Sequence, residues 1–110
     1  MASAPRFDEV EWIARTDTVG VRVNTLGPAQ ATPWHYHSAV ADDVFCLEDP
    51  MEIGLRGPDE TVTLAPGQRQ HIPAGRVHRV ANRSPFPARY LLVQATGKYD
   101  FIAVPDGEDR

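Results

Sequence analysis

The chain is poor in the features that mark most function classes. Its 110 residues hold one cysteine, Cys46. That excludes an internal disulfide framework and makes a reducing compartment, the cytoplasm, the expected location. No apolar run approaches the ~18 residues that a membrane-crossing helix needs. The opening MASAPRFDEV lacks the apolar core of a secretory signal. The formal charge is −4 and the basic residues form no stripe, so nucleic acid is not an expected partner. No stretch sustains a helical apolar period. Repeats, linkers and low-complexity tracts are also missing, so one domain over residues 1–110 is expected, with its core at about 10–104.

What the chain does have is punctuation. Ten prolines and eight glycines cut it into short pieces, which argues for a mostly-β, turn-rich fold. Strands are expected over Val10–Arg15, Val19–Leu26, Trp34–His37, Asp43–Glu48, Met51–Arg56, Glu60–Leu64, Gln70–Ile72, Val77–Asn82, Arg89–Ala95 and Tyr99–Val104. In the second, Val19, Val21 and Val23 alternate with Gly20, Arg22 and Asn24, the pattern of a half-buried strand. About ten short strands with frequent turns indicate a closed barrel or jelly roll.

Two stretches read as halves of one metal site. His35 and His37 sit two apart on a strand, so both imidazoles face the same side. Asp42 and Asp43 follow, and His78 lies on a distant strand. On the expected register Asp43 shares the inward face with Phe45 and Leu47, while Cys46 faces away. Three imidazoles and a carboxylate suit a divalent transition metal, not calcium.

The second stretch, with Gly67, Pro73, Gly75, His78 and Asn82, resembles the second cupin motif, G-x5-P-x-G-x2-H-x3-N, at every fixed position. The first resembles the first cupin motif, G-x5-H-x-H-x3,4-E-x6-G, through His35 and His37. There an aspartate stands where the motif has glutamate, and Gly27 lies seven residues before His35 instead of five. Aspartate reaches ~1.5 Å less than glutamate. Asp43 is favoured over Asp42 because it leads directly into Val44 and Phe45.

The resemblance implies an all-β double-stranded β-helix barrel, the jelly-roll or cupin fold. It further implies one metal per chain held by His35, His37, His78 and Asp43, with Asp43 the fourth ligand or a catalytic base beside the metal. The ion would be Fe by preference, or Mn, Ni, Zn, Co or Cu. A metal-dependent enzyme is the expected function, acting on a small carbonyl- or carboxylate-bearing metabolite. A dioxygenase is favoured, with isomerase or lyase chemistry possible in such barrels. The other reading is a non-catalytic barrel that binds a small ligand or is purely structural. Phe45, Leu47 and Val80 are the expected pocket wall.

Several residues read as ordinary structure. His71 is a strand residue, and Asn82 supports backbone at a strand end. The arginines, Arg22 among them, read as solvated. Arg76, two residues before His78 at a corner, is the one that could bind a substrate carboxylate, with the solvated reading preferred. If His35 and His37 point inward, Trp34 and Tyr36 point outward beside Val44 and Cys46. Such an apolar outer face suggests a homodimer.

Overall fold

The computed structural model describes residues 9–105 and, within them, ten strands and no helix. In chain order these are β1 (Glu9–Arg15), β2 (Val19–Leu26), β3 (His35–Tyr36), β4 (Ala41–Glu48), β5 (Met51–Leu55), β6 (Glu60–Leu64), β7 (Arg69–Ile72), β8 (His78–Ala81), β9 (Ala88–Ala95) and β10 (Ile102–Ala103). They form two five-stranded antiparallel sheets, ordered β1-β2-β9-β4-β7 and β10-β3-β8-β5-β6. The fold is the expected all-β double-stranded β-helix.

Alternation along the strands builds the core. β9 buries Ala88, Tyr90, Leu92 and Gln94, and β5 buries Met51, Ile53 and Leu55. With Leu26, Val44, Leu64, Ile72 and Val80 the apolar members form one cluster between the sheets. Each large side chain there contributes about 1.5–3 kcal/mol through burial. The mouth end of this interior is polar, with Arg22, His35, His37, Asp42, His78 and Gln94 all buried.

That polar end explains where the sequence pattern misleads. β4 begins at Ala41, two residues earlier than expected, so Asp42 lies inside a strand and not in a loop. Its inward residues are Asp42, Val44 and Cys46, all buried, while Asp43, Phe45 and Leu47 face out. Asp43 is therefore not at the site, and Phe45 and Leu47 do not wall the pocket. β2 is inverted in the same way. Arg22 lies opposite Leu92, Asn24 opposite Tyr90 and Leu26 opposite Ala88, all on the inner face. Val21 and Val23 lie on the outer face with Val93 and Leu91. Hydrophobicity alone assigns the valines inward; a barrel whose interior holds polar chemistry reverses that assignment.

Trp34 also departs from expectation. It precedes β3 and is only 9% exposed. Its ring lies under the guanidinium groups of Arg56 and Arg79, 3.8 and 4.7 Å from the ring centroid. The ring also packs on Gly54, where a Cβ would stand 2.7 Å from the ring edge. The chain covers this indole itself, and Val44 and Cys46 belong to the core, so of the four residues expected on an outer apolar face only the half-buried Tyr36, opposite Ile102, stays near the surface.

The motif residues act on the backbone. Gly67 and Gly75 have φ of +93° and +85°, which glycine adopts without the cost a Cβ imposes. The Gly75 N–H donates to the His37 carbonyl at 2.8 Å and ties the Pro73–Gly75 turn to the first histidine pair. Asn82, 1% exposed, shares its amide N–H groups among the carbonyls of Leu26, Gly27 and Phe86 at 3.1, 3.0 and 2.7 Å. It strings the end of β2 to the loop before β9.

Candidate metal centre

β3 and β8 place two of the histidines by register. His35 pairs directly with His78 across the sheet, and His37 follows two residues after His35. The ring centroids of His35, His37 and His78 lie 4.3–5.5 Å apart. Asp42 enters from the opposite sheet. His35, His37, Asp42 and His78 are all buried, and each offers a ligand atom within 4.8 Å of the others.

Each ring is oriented by a backbone carbonyl at Nδ1. His35 uses Pro33 at 2.7 Å, His78 uses Arg76 at 2.8 Å and His37 uses Asp100 at 2.6 Å. A carbonyl can only accept, so each Nδ1 carries the proton and donates it, and each Nε2 faces the common centre. This is the arrangement that fixes metal-binding imidazoles. Burial first, and then the His78 ring nearby, lower the His35 pKa to about 3, so its Nε2 lone pair is available. Three nitrogen donors and one carboxylate oxygen fit a divalent transition ion and do not fit calcium.

Asp42 is the hub. Its Oδ2 lies 3.1 Å from His78 Nε2 and 3.3 Å from His37 Nε2, and its Oδ1 accepts from Gln94 Nε2 at 3.0 Å. Burial alone would raise its pKa, but the hydrogen bonds and charges of His37 and His78 outweigh it and hold the carboxyl well below the usual range. Burial likewise opposes charge on His37, yet the Asp42 hydrogen bond and charge raise its pKa above 6.5. His37 thus lies between the Asp100 carbonyl and the Asp42 carboxylate.

Asp43 instead points outward, where its Oδ1 lies 2.9 Å from His71 Nδ1 and 4.0 Å from Arg69. The fourth member of the cluster is Asp42. Arg76 is engaged elsewhere, donating to the Arg56 and Pro58 carbonyls and to Glu60.

The site opens into a narrow pocket of about 20 Å³, lined in part by Thr32, Val44, Val80, Tyr90 and Leu92. Arg22, Gln94, Tyr99 and Phe101 also line it. Phe101 stacks on His35 with centroids 4.3 Å apart, and Tyr99 lies 5.5 Å from His37. Asp100, between them, accepts from both the backbone N–H and the hydroxyl of Ser38. The segment before β10 is thus strapped over the ligands. Gln94, Arg22, Tyr99 and Phe101 were not singled out from the sequence. The available signal for Gln94 was its parity with Tyr90 and Leu92 on β9.

Comparison with known proteins agrees with this fold. A protein with a double-stranded β-helix domain from Klebsiella pneumoniae superposes with a TM-score of 0.76 at 23% identity, over 91% of this chain and 79% of that one. TT1209 from Thermus thermophilus gives 0.75 at 28% identity, over 88% and 90%. An oxalate oxidase gives 0.73 at 17% identity, over 84% of this chain and 50% of that one. Comparison with curated proteins finds no match. The cupin domain family matches residues 22–94, which span the histidine pair, Asp42, His78 and Gln94, and the chain belongs to that family.

Proposed function

We propose that the protein is a metal-dependent enzyme of the dioxygenase type, with Fe(II) as the preferred ion, acting on a small carbonyl- or carboxylate-bearing metabolite. One observation carries this reading: three buried imidazoles, each fixed at Nδ1 by a carbonyl, present Nε2 toward one buried carboxylate at a pocket open to solvent. A bound ion would supply Lewis-acid or redox chemistry, and four protein donors leave positions open on a six-coordinate ion. Isomerase or lyase chemistry on the same site is the nearest variant, since this fold hosts several reactions.

The chain's own residues have definable tasks. Gln94 holds Asp42 toward the histidines. Phe101 and Tyr99 cover ring faces and keep bulk water from the ligands. Val44, Val80 and Leu92 give the pocket an apolar wall that limits what enters. Asp42, held ionised by His37 and His78, would serve as the anionic ligand of the ion.

A second reading is a non-catalytic barrel. The observation favouring it is that Asp42 already pairs with His37, His78 and Gln94, a network that closes on itself. Oxygen uptake decides between the two. Protein loaded anaerobically with Fe(II) is mixed with a panel of 2-oxo, 2-hydroxy and aryl carboxylates in aerated buffer. Substrate-dependent oxygen consumption that chelator abolishes is the expected result. A metal-loaded protein that consumes no oxygen and forms no product across the panel would leave the binding barrel as the better reading.

Homodimerisation remains a proposal, now on a different face. Leu91 and Phe45, both half-buried, lie side by side across the outer face of the β1-β2-β9-β4-β7 sheet, and Leu47 beside them is 42% exposed. If a second copy covers that face, Phe45→Lys shifts the sedimentation coefficient to that of a monomer. An unchanged coefficient rules the face out.

A further inference from the structure

A second cavity, of about 210 Å³, adjoins the metal pocket and shares Arg22, Gln94 and Tyr99 with it. Trp12, Val19 and Val40 supply its apolar walls. Gly20 leaves the Trp12 ring room to lie across β2, since a Cβ there would already stand 3.4 Å from the indole. Arg22 stands at the junction. It is only 9% exposed, and its guanidinium lies 4.9 Å from the Trp12 ring centroid and 5.8 Å from that of Tyr99. Arg15 covers Trp12 as well, at 4.4 Å.

Aromatic faces and a phenol hold Arg22, but among the described residues it forms no ion pair with a carboxylate. Two acids line the cavities. Asp42 is committed to His37, His78 and Gln94, and Asp17 makes no ion pair with either arginine. A buried cation is ordinarily paired, because removing its water without an anion is costly. A guanidinium fixed between aromatic planes presents its remaining N–H groups in a fork that matches a carboxylate.

We infer that Arg22 is the anchor for a substrate carboxylate, and that the substrate is a small organic acid with an apolar, planar body. Its carboxylate lies between Arg22 and the metal pocket, and its body lies against Trp12, Val19 and Val40. The reacting centre is then the carboxyl-bearing carbon or the one beside it, since those atoms face His35, His37, Asp42 and His78. This rests on the metal-enzyme reading for the reaction but not for the binding.

Benzoate and its neutral isostere benzamide are the probes, titrated by calorimetry into the protein as purified and again after chelator treatment. Benzoate is expected to bind about tenfold or more tightly than benzamide, because only the anion makes the charge-assisted pair. Arg22→Gln is expected to remove that preference without changing metal content, and Arg22→Lys to retain part of it. Trp12 fluorescence should respond to benzoate in the parent chain and not in Arg22→Gln. Equal binding of the two probes to the parent chain, no response to benzoate at all, or an unchanged benzoate affinity in Arg22→Gln would each overturn the inference. The comparison of probes on the parent chain stands even if Arg22→Gln fails to fold. Arg22-dependent benzoate binding in a protein that holds no metal would sink the enzyme reading alone. Metal held at the histidines without a benzoate response would sink only this one.

Discussion

Replacing Asp42 and Asp43 separately with asparagine separates two neighbouring carboxylates that the sequence scarcely distinguishes. Asp42 is 4% exposed and lies within 3.3 Å of both His37 and His78. Breaking a buried pair by neutralising one partner costs about 3–5 kcal/mol. For a domain of this size that is roughly 10–20 °C in Tm. Asp43 has a side chain 27% exposed beside a His71 that is 54% exposed, and such surface pairs contribute about 0–1 kcal/mol.

The pH of the measurement matters. The raised pKa of His37 means its contribution is full below its unfolded value of 6.5 and is lost as pH rises through the folded value. The lowered pKa of Asp42 means its contribution is full above its unfolded value of 3.8 and is lost as pH falls through the folded value. Thermal melts of chelator-treated protein near pH 5.5 therefore see both in full. Asp42→Asn should melt far below the parent chain, and Asp43→Asn within a few degrees of it. Equal shifts, or a larger shift for Asp43→Asn, would show that Asp42 does not face the histidines.

The other expectations concern the frame and the metal. Asn82→Ala leaves three buried carbonyls without their shared donor and should lower the urea-unfolding free energy by about 1–3 kcal/mol; an unchanged midpoint would contradict the strap. Gly54→Ala drives a methyl into Trp34, so denaturant titration should show a loss of about 1–3 kcal/mol and fluorescence a more exposed indole. Metal affinity, measured by competition with a chromogenic chelator, should fall about tenfold or more per unit as pH drops below the folded pKa of His37, because a proton must leave that ring. His35, held neutral down to about pH 3, adds no such slope near neutrality.

Much of the barrel was legible because turn residues and period-2 alternation act locally. The strands expected at Val19–Leu26 and Glu60–Leu64 coincide with β2 and β6. The histidines were legible because spacing on a strand and the Pro73–Gly75 turn set direction without tertiary information. Which aspartate faces inward was not. It depends on where β4 starts, and Ala41 joins the strand through pairing with Ala95, more than fifty residues away. The inner face of β2 was misread for a related reason. Valines and a buried arginine alternate there, and only the identity of what lies across the barrel decides which set is inside. Trp34 illustrates the same limit, since it lies outside any strand and the cations that cover it come from β8 and the turn after β5.

Elemental analysis of protein purified without chelator or a histidine-rich tag, alongside a His35→Ala/His37→Ala double variant, tests the metal centre most directly. The expected result is about one divalent transition ion per chain in the parent. The double variant should lose it, with the far-ultraviolet spectrum recorded alongside to show that the barrel is still folded. A parent chain without metal after reconstitution, or a double variant that retains full occupancy, would contradict the account.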